Sequence, residues 1–274
     1  MLKNTTLAFI GSGVMGEAMI RGILAQSLIA PEKITASDPL PDRLQTLHGR
    51  YGVRTTTDNL AAARAGKITI LSVKPQTLPK ILPDIRAGLD ADSLVLSIVA
   101  GSPINVIRRG LGIEKSIRAM PNTPGQVGQG MTVWTATEAV DELGRQQAQA
   151  ILGALGKELY VDDEGYLDMA TALSGTGPAY IFMFMEALID AGVHMGFNRR
   201  IAQELVYQTM EGSMAVARAS GAHPTELRNQ VTSPGGTTAA ALYQLEKGGF
   251  RTVISKAIWA AYQRSKTLGE LADK

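Results

Sequence analysis

The sequence contains no cysteine. That excludes disulfides, thiolate metal sites and a cysteine nucleophile, and it fits a reducing compartment, so the cytoplasm is the expected location. Excess charge is also lacking: 27 Lys+Arg face 25 Asp+Glu. Nothing in that balance points to a polyanionic partner, and nucleic acid is set aside. Long hydrophobic runs are missing too. The longest apolar stretch, residues 180–193, is interrupted by Glu186 and Asp190. It falls short of the roughly 20 residues a membrane span requires and reads as a buried helix, so no membrane partner is expected. The opening MLKNTTLAFIGSG has one early lysine and a short apolar run ending in glycines, not a signal-peptide core with a cleavage site, and reads as a first strand. The histidines His48, His194 and His223 stand singly and far apart, without metal-ligand spacing. Each reads as a surface or helix-end residue, and no metal is expected. One absence is local. The stretch VTSPGGTTAAAL, residues 231–242, carries four hydroxyl side chains and two glycines but no ionisable group.

What is present fits two globular domains. The 274 residues, 45% hydrophobic and 19% charged, suffice for two hydrophobic cores. From residue 7 to about 161, short β-type runs (LAFI, KITAS, ITILSV, SLVLSIVA, SIRAM) alternate with helical patterns. Such alternation marks a parallel sheet with helical crossovers, and continuous apolar strands suit a sheet covered on both faces. After Tyr160 the pattern is helical to the end. The expected fold is therefore α/β: an N-terminal Rossmann domain with a doubly wound, mostly parallel sheet over residues 1–163, followed by an all-α domain over residues 164–274. The helix beginning at Pro178 is apolar around nearly its whole circumference and must be surrounded by protein. A helical domain this small can hardly bury it alone, so this domain is expected to form a homodimer.

LAFIGSGVMGEAM places Gly11, Gly13 and Gly16 in G-x-G-x-x-G spacing, after a strand and at the opening of a helix. Gly11 permits a tight turn, Gly13 lets the backbone approach a pyrophosphate, and Gly16 lets helix and strand pack closely. The helix N-terminus adds unpaired N–H groups for an anion. Beyond the second strand come Ser37 and Asp38, then Arg43. Asp38 would repel a 2′-phosphate or simply cap the next helix, whereas Ser37 and Arg43 would hold that phosphate. Other expected strand ends lie at Ser72-Val73-Lys74-Pro75, Ala100-Gly101 and Pro121-Asn122-Thr123-Pro124, and ligands of such sheets bind outside strand carboxyl ends. There Lys74 steers phosphates or is a solvated surface lysine, and Asn122-Thr123 is a rigid polar loop or a plain turn. Glu186 and Asp190, at i and i+4, are either a carboxylate pair or partners of basic residues across a subunit interface.

Two glycine-hydroxyl turns each open a helix in the helical half: 173–178 (LSGTGP) and 232–238 (TSPGGTT). Their hydroxyls either cap those helices or, with the helix N–H groups, hold a small carboxylate.

The chain resembles the pyrroline-5-carboxylate reductase family over nearly its whole length. The motifs that carry the resemblance are IGSGVMGEAM, LSVKPQ, RAMPNTP, LSGTGPAYIF and above all HPTELRNQVTSPGGTTAAALYQLEKGGFR. The resemblance implies NADP(H)- or NAD(H)-dependent reduction of 1-pyrroline-5-carboxylate to L-proline. It also implies a dimer through the helical domain, in some relatives built into a ring of dimers. Cofactor contacts would then fall on Gly11, Ser12, Gly13, Val14, Met15 and Gly16, on Ser37 and Asp38, and on Asn59. They would continue at Ser72, Val73, Lys74, Pro75, Ala100, Gly101 and Asn122. Substrate contacts would fall on Ser233, Gly236, Thr237 and Thr238, with Thr238 facing the ring nitrogen. The chain departs from the family pattern at Asp38, where relatives carry a small hydroxyl, which sets the usual NADPH preference against an acid.

Two other readings compete. A β-hydroxyacid dehydrogenase would need a lysine on the helix after the 174–177 turn, where Pro178, Ala179, Tyr180 and Ile181 stand instead. A non-catalytic NAD(P)-binding sensor would leave the 233–238 turn without a purpose.

Overall fold

The computed structural model describes residues 2–273. Packing divides the chain into two compact units: residues up to Thr176 together with those from Ala261 onward, and the segment Gly177–Ala260. The stretch from 164 to 176 and the chain's end, both placed by the sequence with the helical half, thus fall in the unit that contains the sheet.

The first unit is built on an eight-stranded sheet in the order β3-β2-β1-β4-β5-β6-β7-β8. Its strands are β1 Leu7–Ile10, β2 Ile34–Ser37, β3 Arg54–Thr56, β4 Ile68–Leu71, β5 Leu94–Ser97, β6 Ser116–Met120, β7 Gly130–Ala136 and β8 Gly156–Tyr160. All neighbours run parallel except β6 and β7. The central strands β1, β2, β4 and β5 are buried at every position, as continuous apolar runs covered on both faces must be. Three strands carry no such run. β3 is short and half-exposed, and β8 alternates at the far edge. β7 returns antiparallel after a 3₁₀ turn at Thr123–Val127.

The crossover helices are α1 Val14–Ala25, α2 Pro41–Tyr51, α3 Asn59–Ala65, α4 Leu78–Arg86, α5 Ile104–Leu111 and α6 Glu142–Gly153. One core joins Phe9, Met19, Ile20, Ile68 and Trp134; another joins Ile10, Leu71, Leu82, Val95 and Ile107. Helix α7, Gly165–Ala170, passes directly into a π-helical turn at Thr171–Gly175.

The second unit consists of α8 Gly177–His194, α9 Arg199–Ser220, α10 Pro224–Gln230, α11 Thr237–Lys247 and the first half of α12, Phe250–Ala272. Gly192 lets α8 approach α9 at Ala202, where a Cβ would lie 2.9 Å from the alanine methyl. This unit buries little of itself: α8 buries Ile189 and Gly192, α9 only Ala202, and α10 and α11 nothing. Phe182 and Met183 of α8 are 60% and 73% exposed. The helical stretch Gly165–His194 is long and apolar enough to cross a membrane, by length and composition alone. The remainder of α12 rejoins the first unit, burying Ser265 and Gly269.

Candidate active site

The central strands end in one row, because Ile10 pairs with both Ser37 and Leu71, and Leu71 pairs with Ser97. The segments that follow therefore leave the sheet along one edge, the carboxyl edge where such sheets bind ligands. At its centre lies the glycine turn. Gly11 takes φ +85°, and its N–H donates to the Ser37 carbonyl at 3.1 Å. A Cβ there would lie 2.6 Å from Val73 Cγ1. One at Gly16 would lie 2.8 Å from the Gly11 carbonyl oxygen. Gly13, by contrast, caps α1 without a side-chain bond, and a Cβ on it would meet nothing within 4 Å. The turn is thus tight against β4 and open above Gly13, with Val14 and Met15 starting the helix. Space and unpaired N–H groups lie where a pyrophosphate needs them, so the residues present fit a dinucleotide.

The adenosine side of that turn is tied together by side chains. Ser12 is buried; its hydroxyl donates to the Ser37 carbonyl at 3.0 Å and its N–H donates to Asp38 Oδ2 at 3.2 Å. Asp38 Oδ1 accepts the Leu40 N–H at 3.1 Å. The N-cap of α2 is Leu40, so Asp38 does not cap that helix and instead buckles the turn before it. The buried Ser37 hydroxyl donates to Asn59 Oδ1 at 2.7 Å. Arg43 reaches back from α2, its Nε donating to the Ser12 carbonyl at 2.8 Å and its Nη2 to the Gly13 carbonyl at 3.3 Å.

Glu17 holds Arg43 in that place, with Oε2 2.6 Å from Nη2. It also accepts the Tyr51 hydroxyl at 2.8 Å and pairs with Arg50 at 3.3 Å. Burial pushes its carboxyl up, but the Tyr51 and Arg43 hydrogen bonds and the two guanidinium charges outweigh burial and leave it below the ordinary value. Burial and the hydrogen bond to Glu17 push the Tyr51 hydroxyl the other way, upward.

Ser72 locks β4 to the turn through its hydroxyl, 2.5 Å from the Gly11 carbonyl. Lys74 and Pro75 follow, exposed. Ala100 is half-buried and Gly101, at φ +65°, is buried beneath Leu268 of α12. Asn122 differs from its neighbours. Its Oδ1 accepts the Met131 N–H at 2.9 Å and its Nδ2 donates to the Ser174 carbonyl at 3.1 Å. That amide braces the 3₁₀ turn against the π-turn.

The two hydroxyl turns of the helical half differ. In the first, Ser174 donates to the Ala170 carbonyl at 2.9 Å and Thr176 to the Thr171 carbonyl at 2.8 Å. Those hydroxyls donate to carbonyls of their own π-turn. In the second, Gly235 takes φ +70° and the Gly236 N–H donates to the Ser233 carbonyl at 3.1 Å. Gly236 caps α11 with no side-chain bond, and the Ser233 hydroxyl sits against its α-carbon, where a Cβ would collide with it. Thr237 and Thr238 open the helix, Thr238 half-buried. Ser233, Gly236, Thr237 and Thr238 thus converge on one helix start with its N–H groups uncapped. His223 caps α10, its Nδ1 accepting the Thr225 N–H at 3.2 Å. Asp190 pairs within its own chain, with Arg199 at 2.9 Å. Among the described residues no cluster of His, Cys, Asp and Glu could hold a metal.

Sequence reasoning missed two polar clusters. One is the Glu17, Arg43, Arg50 and Tyr51 group. The other surrounds the buried Arg118 on β6, which contacts Glu164 at 2.7 Å and Asp168 at 3.4 Å, while Ser265 donates to Asp168 at 2.8 Å. Of these residues only Arg43 carried a reading in the sequence, and spacing along the chain gives no sign of the rest.

A Rossmann unit with an open glycine turn, followed by a helical unit with an uncapped hydroxyl site, defines a nicotinamide-dependent oxidoreductase. Comparison with known proteins narrows the class. Residues 164–268 match the family model for pyrroline-5-carboxylate reductase dimerisation, and residues 6–101 match that for NADP oxidoreductase, coenzyme F420-dependent. The chain is 42% identical over 264 residues to pyrroline-5-carboxylate reductase of Synechocystis sp., covering 96% of this chain and 98% of that protein. It is 38% identical to the Pseudomonas aeruginosa enzyme, covering 98% of each. The solved Plasmodium falciparum pyrroline carboxylate reductase with NADP bound superposes with a TM-score of 0.89 at 33% identity, covering 97% of this chain and 99% of that one. The chain belongs to the pyrroline-5-carboxylate reductase family.

Proposed function

We propose that this protein reduces 1-pyrroline-5-carboxylate to L-proline with NADH or NADPH, as a homodimer in the cytoplasm. The observation that carries the substrate assignment is the start of α11: an uncapped helix N-terminus flanked by the hydroxyls of Ser233, Thr237 and Thr238, with no ionisable side chain in residues 231–242. The Ser233 hydroxyl and the Thr237 N–H bind the carboxylate, aided by the partial positive charge of the helix, while the Gly236 N–H is taken by the Ser233 carbonyl. The Thr238 hydroxyl hydrogen-bonds the ring nitrogen, orients the imine and retains its proton. An imine is basic enough to arrive partly protonated and already electrophilic, so no acid or metal need activate it. The nicotinamide, when bound, supplies the hydride. The protein's remaining task is orientation, holding the imine carbon about 3–3.5 Å from the donor carbon.

Gly11 to Gly16 cradle the pyrophosphate in this reading. Ser37, Asp38 and Asn59 face the adenosine ribose, and Ser72 to Pro75, Ala100, Gly101 and Asn122 line the path toward the nicotinamide. Asp38 is held in place by the Ser12 and Leu40 N–H groups, which sets a carboxylate against a 2′-phosphate. Purified protein given 1-pyrroline-5-carboxylate should therefore oxidise both NADH and NADPH, followed at 340 nm. Tight nucleotide binding without turnover would favour a sensor, and a preference above a hundredfold for NADPH would show that Asp38 does not repel the phosphate.

A further inference from the structure

The Glu17 cluster ties α1 to α2 and, through Arg43, to the glycine turn. Arg43 is the cation that the sequence offers to a 2′-phosphate, yet the structure turns it elsewhere. Its Nε and Nη2 donate to the carbonyls of Ser12 and Gly13, and Nη2 is also in contact with Glu17 Oε2 at 2.6 Å. One edge of the guanidinium is thus fully occupied, and its charge is opposed by a carboxylate whose side chain is only 15% exposed. Glu17 is itself fixed from a third direction by Tyr51 and Arg50. We propose that Glu17 is a specificity-determining residue: it latches Arg43 to the backbone of the glycine turn, withholds it from a 2′-phosphate, and so works with Asp38 to admit NADH.

The proposal rests on the dinucleotide reading of the turn. Its charge arithmetic is simple. Around the turn stand Asp38 and Glu17, each negative, against Arg43 and Arg50; removing the Glu17 charge leaves one cation in excess and releases Arg43 from its carboxylate partner, so that only the two backbone carbonyls compete with a phosphate for the guanidinium. The carboxyl's downward shift keeps it ionised, and the latch closed, across the neutral range.

The test measures the dissociation constants of NADH and NADPH by nicotinamide fluorescence with the full-length protein, without substrate. Glu17→Gln should raise the affinity for NADPH relative to NADH by roughly three- to tenfold, the range of a charge-assisted contact in a partly exposed site. Arg43→Leu in the wild-type background should weaken both nucleotides and leave their ratio within about twofold, because the side chain serves the turn and not the phosphate. The same change added to Glu17→Gln should erase the NADPH gain. The latch is overturned by a folded Glu17→Gln protein with an unchanged ratio. It is overturned equally if Arg43→Leu alone costs NADPH about tenfold more than NADH, a result that decides the matter even where Glu17→Gln fails to fold. Wild-type protein that binds neither nucleotide would defeat the cofactor reading itself, and is told apart from a failed latch by that loss.

Discussion

The hydroxyl of Thr238 stands in the first turn of α11, half-buried, beside N–H groups that no side chain caps. Its assigned work is one hydrogen bond to a ring nitrogen, and a bond of that kind is worth about 1–3 kcal/mol. Thr238→Ala should therefore lower kcat/KM by roughly ten- to a hundredfold in steady-state assays while leaving the fold intact. A variant within twofold of wild type would remove Thr238 from the chemistry. The turn that holds it stands out in the sequence because VTSPGGTTAAAL is contiguous and carries no ionisable side chain, whereas the part proposed for Thr238 itself came from the family resemblance. Asp38 was legible only as a position. The sequence offered it as a phosphate-repelling acid or a helix cap, and the cap role fell to Leu40 because the chain buckles for two residues at Pro39 before α2 begins.

At the scale of the element, the strand, glycine turn and α1 form one device whose glycines have separable duties. Gly11 needs its positive φ and has Val73 against it, whereas Gly13 faces open space. Gly11→Ala should cost about 2–4 kcal/mol of unfolding free energy in denaturant titration, through strain and collision. Gly13→Ala should change stability by no more than about 1 kcal/mol yet weaken nucleotide binding substantially, since its methyl enters the pyrophosphate's space. Equal stability losses at the two positions would contradict this division. The latch on the turn makes a pH prediction. Glu17 is held below its ordinary 4.5, so on acidification the unfolded chain takes up that proton first. The stability this group contributes is present above that value and is lost as pH falls through the lower folded value. Unfolding of Glu17→Gln should accordingly depend less steeply on pH below about 4.5 than unfolding of the wild type; parallel curves would deny the pairing. Such a cluster is not legible in sequence, because Glu17 lies 26 to 34 residues from its partners Arg43 and Tyr51 on another helix and no periodicity links them. The outer strands were hidden for a related reason. β3 and β8 sit at sheet edges, half in solvent, and so lack the apolar runs that announce β1, β4 and β5.

For the whole molecule, the second unit raises the question of what covers it. Its helices bury almost nothing of themselves, and α8 exposes Ile181, Phe182, Met183 and Phe184. The same residues lie inside the stretch that matches the dimerisation model. A patch of that character calls for a protein partner, and a second copy meets the requirement. Sedimentation equilibrium at micromolar concentration should give a dimer or a multiple of it, and Phe182→Lys should shift it toward monomer with loss of stability. A wild-type monomer would leave α8 unexplained. The sequence carried this far, since a helix apolar around its circumference is visible in one dimension; that the end of α12 falls in the unit that contains the sheet was not, because its buried positions, Ser265 and Gly269, are small or polar and look like surface.

In the proposed reaction a hydride passes directly to an imine carbon while the protein's own side chains only bind and orient. The measurement that meets it head-on is transfer of deuterium from NADH or NADPH labelled at the nicotinamide C4 position, read by mass spectrometry and NMR of the product. L-Proline should carry one deuterium on the ring carbon that had been the imine carbon, with one nicotinamide oxidised per proline formed. Cofactor binding without proline, or proline whose label has been exchanged with water, would contradict it.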